Sequence, residues 1–413
     1  MIHFGSIDQA CFLREYWQKK PLLIKQALAN FVSPIAPEEL AGLALEEGIE
    51  SRLVIQQGAQ DYQLRHGPFT DQDFMQLPEK NWTLLVQGMD KLIPEIHQLL
   101  TEFDFIPRWR LDDVMISYAT EGGNVGPHYD HYDVFLLQAA GTRRWQITSQ
   151  DCHPENYLAD VALRLMQEFK VEDEWVLEPG DLLYLPPKWG HHGVALDNEC
   201  MTFSVGYRSY KAQELWDSFG DYLAEQTQDS TKSLANNLAQ GIYQDPNWQD
   251  TKPGEAPDSA WQHAQQQLLA LAQDDRAMQA WFGRFATQLD EQSHQQLPDP
   301  LTPEEQADIN QFQQALAQAE RLERDPVCRF AYSRDPETGQ VTLFINGSAW
   351  PVGDDIGAGV LMELANQPFY ANALLSRWVK QRPVTHLLYD LWCLQYVIFP
   401  DQDEQAECYE GEA

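Results

Sequence analysis

Gly122-Gly123-Asn124-Val125-Gly126-Pro127-His128-Tyr129-Asp130-His131-Tyr132-Asp133-Val134-Phe135-Leu136-Leu137 is the stretch on which the fold turns. Its glycines make a flexible approach that lets backbone come close to a ligand. On a strand, residues i and i+2 share a face, so His128 and Asp130 can reach one ion. His131 and Asp133 take the opposite face if the strand is regular, so at most one pair looks into a barrel. The spacing alone says little. With 11 His and 63 acidic residues in 413, chance supplies about 1.7 such pairs. The chain has three, and the third, His153-Pro154-Glu155, has a proline in its middle that suits a turn. The glycine-rich approach favours His128 and Asp130.

Working outward, short aromatic and β-branched runs flank this stretch. Val114–Tyr118, Val134–Leu137, Trp145–Ile147 and Leu182–Leu185 are separated by Gly and Pro turns, as in an all-β barrel or sandwich. Helices are expected before it, at Ile7–Trp17 and Pro37–Glu46. In Gly180-Asp181-Leu182-Leu183-Tyr184-Leu185-Pro186-Pro187-Lys188-Trp189-Gly190-His191-His192-Gly193, a strand ends at two prolines and the next opens on two histidines. One of them can complete a set of two His and one carboxylate. That set is the facial triad of non-haem Fe(II) oxygenases, with positions left for substrate and dioxygen. Zinc more often takes a closed site with cysteine, and no Cys stands in these motifs. Arg143, in Gly141-Thr142-Arg143-Arg144-Trp145, follows His128 by fifteen residues. On a neighbouring strand it can bind the distal carboxylate of 2-oxoglutarate, a charge-assisted contact of roughly 1.5–3 kcal/mol.

Three compositional zones follow one another. Residues 1–210 carry the strands. Residues 211–300 are rich in Gln and Ala, with helical stripes at Leu268, Leu271, Ala272 and at Met278, Trp281, Phe282, Phe285, broken by a proline-marked loop at 244–258. Residues 301–413 read as a helix opening at Thr302-Pro303-Glu304-Glu305, strands at Cys328–Tyr332 and Val341–Ile345, and helices near Gly359–Asn366 and Val384–Trp392. That order suggests a winged-helix-like module with an acidic tail. Asn346-Gly347-Ser348 matches a glycosylation sequon but reads more simply as a hairpin turn.

Lys and Arg total 28 and Asp and Glu 63, a formal charge of −35. This argues against nucleic-acid binding, which needs clustered basic residues, and against an anionic membrane surface. It favours a basic partner. The six scattered cysteines read as reduced thiols, and the first eight residues lack signal-peptide features, so a cytoplasmic chain is expected.

Together these residues resemble the JmjC-domain ribosomal oxygenases of bacteria, a branch of the cupin superfamily. The resemblance runs through Tyr16–Leu22, Asp113–Ala119, Gly126–Phe135, Gly141–Trp145, Gly180–Gly193 and Phe203–Arg208. It implies an α+β chain: a double-stranded β-helix barrel (1–210), a helical dimerisation domain (211–300) and a winged-helix-like domain (301–413). It implies a homodimer, and His128, Asp130 and His191 as iron ligands. Arg143 and the hydroxyl of Ser117 would hold 2-oxoglutarate, with dioxygen the third reactant. The implied reaction is hydroxylation of an arginine in a basic large-subunit ribosomal protein. Such a pocket needs a carboxylate and an aromatic wall, for which Glu121 and Tyr132 are candidates. The family usually has another residue at position 192, which leaves the role of His192 open. Competing readings are hydroxylation of a protein histidine, lysine demethylation, a Zn or Mn cupin isomerase, and a non-catalytic cupin-type binding protein.

Overall fold

The computed structural model describes residues 2–159, 163–226, 241–244 and 254–400. The chain divides into two compact units, Met1–Ser209 and Tyr210–Ala413.

Among its described residues the first unit holds twelve strands: β1 (Leu22–Ile24), β2 (Ser51–Gly58), β3 (Asp61–His66), β4 (Trp82–Val86), β5 (Leu111–Ala119), β6 (His128–Tyr129), β7 (Asp133–Ala140), β8 (Arg143–Thr148), β9 (Asp173–Leu177), β10 (Leu182–Leu185), β11 (Gly190–Ala195) and β12 (Cys200–Tyr207). They form an eight-stranded sheet, β1-β10-β7-β12-β5-β4-β2-β3, and a four-stranded sheet, β6-β11-β8-β9. From β5 to β12 the chain passes back and forth between the two sheets, which makes a double-stranded β-helix.

Side-chain alternation builds a core on each face of the larger sheet. Along β7, Phe135, Leu137 and Ala139 face an outer core that includes Phe12, Phe103, Phe203, Tyr184 and Tyr207. Val134 and Leu136 face the other way, into the barrel, with Trp145, Ile147, Leu177, Leu183 and Leu185. Both faces are covered, so β7 is buried along nearly its whole length rather than in alternation. The outer core is closed by the helices Gln9–Glu15 and Pro37–Leu43, shorter than the spans expected from sequence. Asp8 caps the first, accepting from Cys11 N at 2.7 Å.

In the second unit the helices Ala212–Gln226 and Asp275–Thr287 share a small core of Phe219, Leu223, Ala277 and Trp281. The helix Asp258–Ala272 buries none of its residues. Beyond these lie β13 (Arg321–Arg324), β14 (Phe330–Arg334), β15 (Val341–Ile345), β16 (Ser348–Ala349), β17 (Phe369–Ala371) and β18 (Val397–Ile398), in two three-stranded sheets. The helices Ile309–Gln318, Ala358–Asn366, Asn372–Trp378 and Arg382–Cys393 pack around Phe312, Tyr370, Trp378 and Leu388. Asn346 and Gly347, with φ of 47° and 80°, make the expected tight hairpin between β15 and β16.

One expectation is corrected by the structure. Thr302 starts no helix: its N–H and hydroxyl both bond Glu305 at 2.8 Å, and the chain only turns. The helix begins at Ile309, where Asp308 accepts from Asn310 N and Gln311 N. Gly283 lets the Phe344 ring press against its helix. Gly347 N also donates to Thr287 Oγ1 at 3.1 Å. The acidic tail from Asp401 and residues 245–253 of the proline-marked loop lie outside the described residues.

Candidate metal and cosubstrate site

His128 and His191 face each other across the β6–β11 pairing. Direct cross-strand partners point to the same side, so the two imidazoles meet inside the barrel with ring centroids 4.2 Å apart. Asp130 lies just past β6, where the chain leaves the smaller sheet for β7. Its Oδ2 is 3.9 Å from His128 Nε2 and 3.6 Å from His191 Nε2. Among the described residues these three form a group able to hold a metal ion, their donor atoms all within 4.8 Å of one another.

The donor set fits a divalent ion. His128 Nδ1 is 3.0 Å from Gly126 O, and His191 Nδ1 is 3.0 Å from Trp189 O. A carbonyl only accepts, so each Nδ1 carries the proton and each Nε2 turns its lone pair inward. Burial, reinforced by His128, pushes the His191 imidazole down to about 4 and keeps it neutral.

The strand does not run regularly through His131 and Asp133. Asp133 is fully buried on the outer side, accepting from Tyr184 Oη at 2.6 Å, Gln18 Nε2 at 3.2 Å and Arg110 Nη2 at 3.3 Å. His131 is exposed. His153 and Glu155 pair at the surface, beside a short 3-10 turn. Alternation turns His192 away from the barrel interior, outside the three-residue group.

Arg143 is 4 % exposed and shares the inward face of β8 with Trp145 and Ile147. Its Nε donates to Cys200 Sγ at 3.2 Å and its guanidinium stacks 5.6 Å from the Trp145 ring. Its Nη2 has no hydrogen-bond partner among the described residues. A buried, unpaired guanidinium nitrogen is costly, and a carboxylate is the group that satisfies it. Ser117 is 3 % exposed on the inward face of β5, its hydroxyl 3.4 Å from Thr202 O. Thr202 in turn donates to Gln138 Oε1 at 3.1 Å. Polar side chains in an otherwise apolar barrel are what a dicarboxylate needs.

The two expected substrate contacts part company. Tyr132 is 41 % exposed, and its phenol is raised first by Asp130, then by burial and by Asp113 and Asp112. Glu121 is half-exposed, its carboxylate paired with Lys80 at 2.6 Å. Besides Asp130, the carboxylates that act on Tyr132, Asp113 and Asp112, are on β5. Asp113 accepts from Gln87 Nε2 at 2.6 Å and Gly88 N at 3.1 Å. Burial, then Asp90 and Asp112, raise it to about 7. Asp113, Met115 and Ser117 stand at i, i+2 and i+4, so period-2 alternation could have found Asp113. Nothing in sequence order links Cys200, Gln138 or Thr202 to Arg143; strand pairing does.

Comparison with known proteins agrees with this geometry. A JmjC domain matches residues 98–215, and a ROXA-like winged helix matches 270–397. The chain is 37 % identical over 320 residues to the ribosomal protein uL16 3-hydroxylase of Escherichia coli (strain K12), covering 76 % of this chain and 79 % of that one. It is 34 % identical over 376 residues to a probable ribosomal oxygenase of Haemophilus influenzae, covering 90 % and 89 %. The structure of YcfD, a ribosomal oxygenase from Escherichia coli, in complex with cobalt and 2-oxoglutarate superposes with a TM-score of 0.78 at 30 % identity, over 96 % of this chain and 99 % of that one. With a JmjC barrel, a winged helix and relatives of this similarity over most of its length, the chain belongs to the JmjC ribosomal oxygenase family.

Proposed function

We propose that this protein hydroxylates an arginine side chain of a large-subunit ribosomal protein, using Fe(II), 2-oxoglutarate and dioxygen. The observation that carries the reading is the pairing of two inward Nε2 atoms and a carboxylate with the buried, unpaired Nη2 of Arg143. His128, Asp130 and His191 would hold the iron. Arg143, with Ser117, would hold the distal carboxylate of 2-oxoglutarate. Bound there, iron and the keto acid supply the oxidising chemistry, which consumes dioxygen, releases CO2 and succinate, and puts one oxygen atom into a substrate C–H bond.

The chain's own residues do the positioning. Gly126 O and Trp189 O fix the two imidazoles. The apolar wall of Trp145, Ile147 and Leu185 keeps water from the reacting atoms. Tyr132 offers the substrate guanidinium an aromatic face and Asp113 an opposite charge, in place of Glu121. The fixed planar charge of arginine suits this acidic mouth better than a neutral imidazole does.

A second copy of the chain is the partner we assign to the helix Asp258–Ala272. Trp261, Leu268 and Leu269 on it are about half exposed, at 54 %, 48 % and 52 %. No helix among the described residues is long and apolar enough to cross a membrane. The site of action we propose is the cytoplasm, where ribosomal proteins are met before assembly.

Mass spectrometry of ribosomal proteins from cells with and without the gene tests the reading. One arginine of a large-subunit protein should gain one oxygen atom, and the gain should vanish with Asp130→Ala. An oxygen on histidine, a loss of lysine methylation, or no change at all would each reject it.

A further inference from the structure

His192 follows a metal-ligand candidate yet faces the other side of the smaller sheet. There its Nε2 lies 3.2 Å from Asn124 Oδ1. Asn124 is 2 % exposed. Its Oδ1 also accepts from Gly126 N and Tyr62 Oη, each at 2.9 Å. Its Nδ2 donates to Gln56 Oε1 at 2.8 Å and Gly122 O at 2.9 Å. Two backbone groups fix which way this amide points: Gly126 N–H can only donate and Gly122 C=O can only accept. His192 therefore donates through Nε2–H.

Gly126 is also the residue whose carbonyl takes the Nδ1 proton of His128. Asn124 thus grips the residue that aims this imidazole. The grip matters because β6 is two residues long and lies at the edge of its sheet. It pairs with β11 only through Gly190↔Tyr129 and His191↔His128. Two pairs hold a strand weakly. The segment before it is fastened further along β11, by Gly122 N to Ala195 O at 2.9 Å and Ala195 N to Gly123 O at 3.0 Å. His192 stands between these two attachments.

We infer that His192 is a positioning residue: through Asn124 it holds the Gly126 carbonyl where that carbonyl orients His128 for metal, from the face of the sheet away from the ion. The inference rests on the reading of His128, Asp130 and His191 as ligands.

Co(II) titration of the full chain, followed by calorimetry and by the visible absorption of the bound ion, tests it. His192→Leu and Asn124→Ala should bind Co(II) about 10–100-fold more weakly, with an altered spectrum. His192→Gln, whose amide N–H can reach the same oxygen, should recover most of the affinity and the native spectrum. Wild-type affinity and spectrum in both His192→Leu and Asn124→Ala would overturn the inference. So would a loss in His192→Leu that His192→Gln does not repair, since packing alone would then explain it. Should His192→Leu not fold, Tyr62→Phe removes one donor to the same amide. It is expected to weaken Co(II) binding about threefold or more, and unchanged binding overturns the inference. Asp130→Ala separates the two levels. If it too binds Co(II) normally, the ligand reading fails; if it alone loses the ion, only the positioning role fails.

Discussion

Asp113 is the residue whose chemistry is most exposed to experiment. A carboxyl raised to about 7 must lose its proton before it can pair with a guanidinium that is always charged. The value of kcat/KM for the arginine substrate should therefore rise with pH up to about 7 and then level. Asp113→Asn should abolish that limb and most of the activity, and an unchanged profile would remove Asp113 from recognition. The stability effect has the opposite direction. A carboxyl whose folded value lies above its unfolded one favours the fold while protonated, and that contribution is lost as pH rises through about 7. Asp113→Asn should raise Tm more at pH 8 than at pH 5. Arg143→Met should raise the KM for 2-oxoglutarate by about tenfold to a hundredfold, the equivalent of ~1.5–3 kcal/mol. Steady-state succinate release measures it, and an unchanged KM would move the anchor elsewhere.

At the scale of elements, the decisive event is a break in a strand. The sequence reads as one run from His128 to Leu137, whereas the chain changes sheets between Tyr129 and Asp133. That crossing swings Asp130 beside both histidines and sends Asp133 into the outer core with Tyr184. No local pattern announces it, because both halves have strand-like composition. The helix start at Thr302 fails for a related reason. Its capping bonds form, but helix length is decided by tertiary packing, and burial begins only with Phe312 and Leu316. The helix Asp258–Ala272 rests Leu271 on the small core but leaves Trp261, Leu268 and Leu269 exposed within one chain. Leu268→Glu with Leu269→Glu should leave the fold intact and convert a dimer to a monomer. Light scattering would show it, and an unchanged mass would rule out this helix as the contact.

At the scale of the whole molecule, the charge of −35 sets the range of partners. An acidic surface attracts an unassembled basic protein and is repelled by one already coated in RNA. Binding of the free ribosomal protein should weaken between low and moderate salt, as screening shortens the Debye length to ~8 Å at 0.15 M. Surface-plasmon titration at several salt concentrations checks this, and a salt-independent affinity would leave the charge a matter of solubility.

The double-stranded β-helix and the choice of His191 were what the resemblance implied. The sequence's own patterns gave the strands of a barrel or sandwich, the winged-helix order, a His-x-Asp pair with a later histidine, and a candidate arginine. Those features depend on local periodicity and turn chemistry, which neighbouring residues carry among themselves. Tertiary structure decided the rest: that Glu121 is held by Lys80 while Asp113 stands near Tyr132, that Cys200 supports Arg143, and that His192 turns outward to Asn124. Each of these joins residues from separate segments of the chain. The registers of β5 against β4, of β11 against β6 and of β12 against its neighbours set which segments meet.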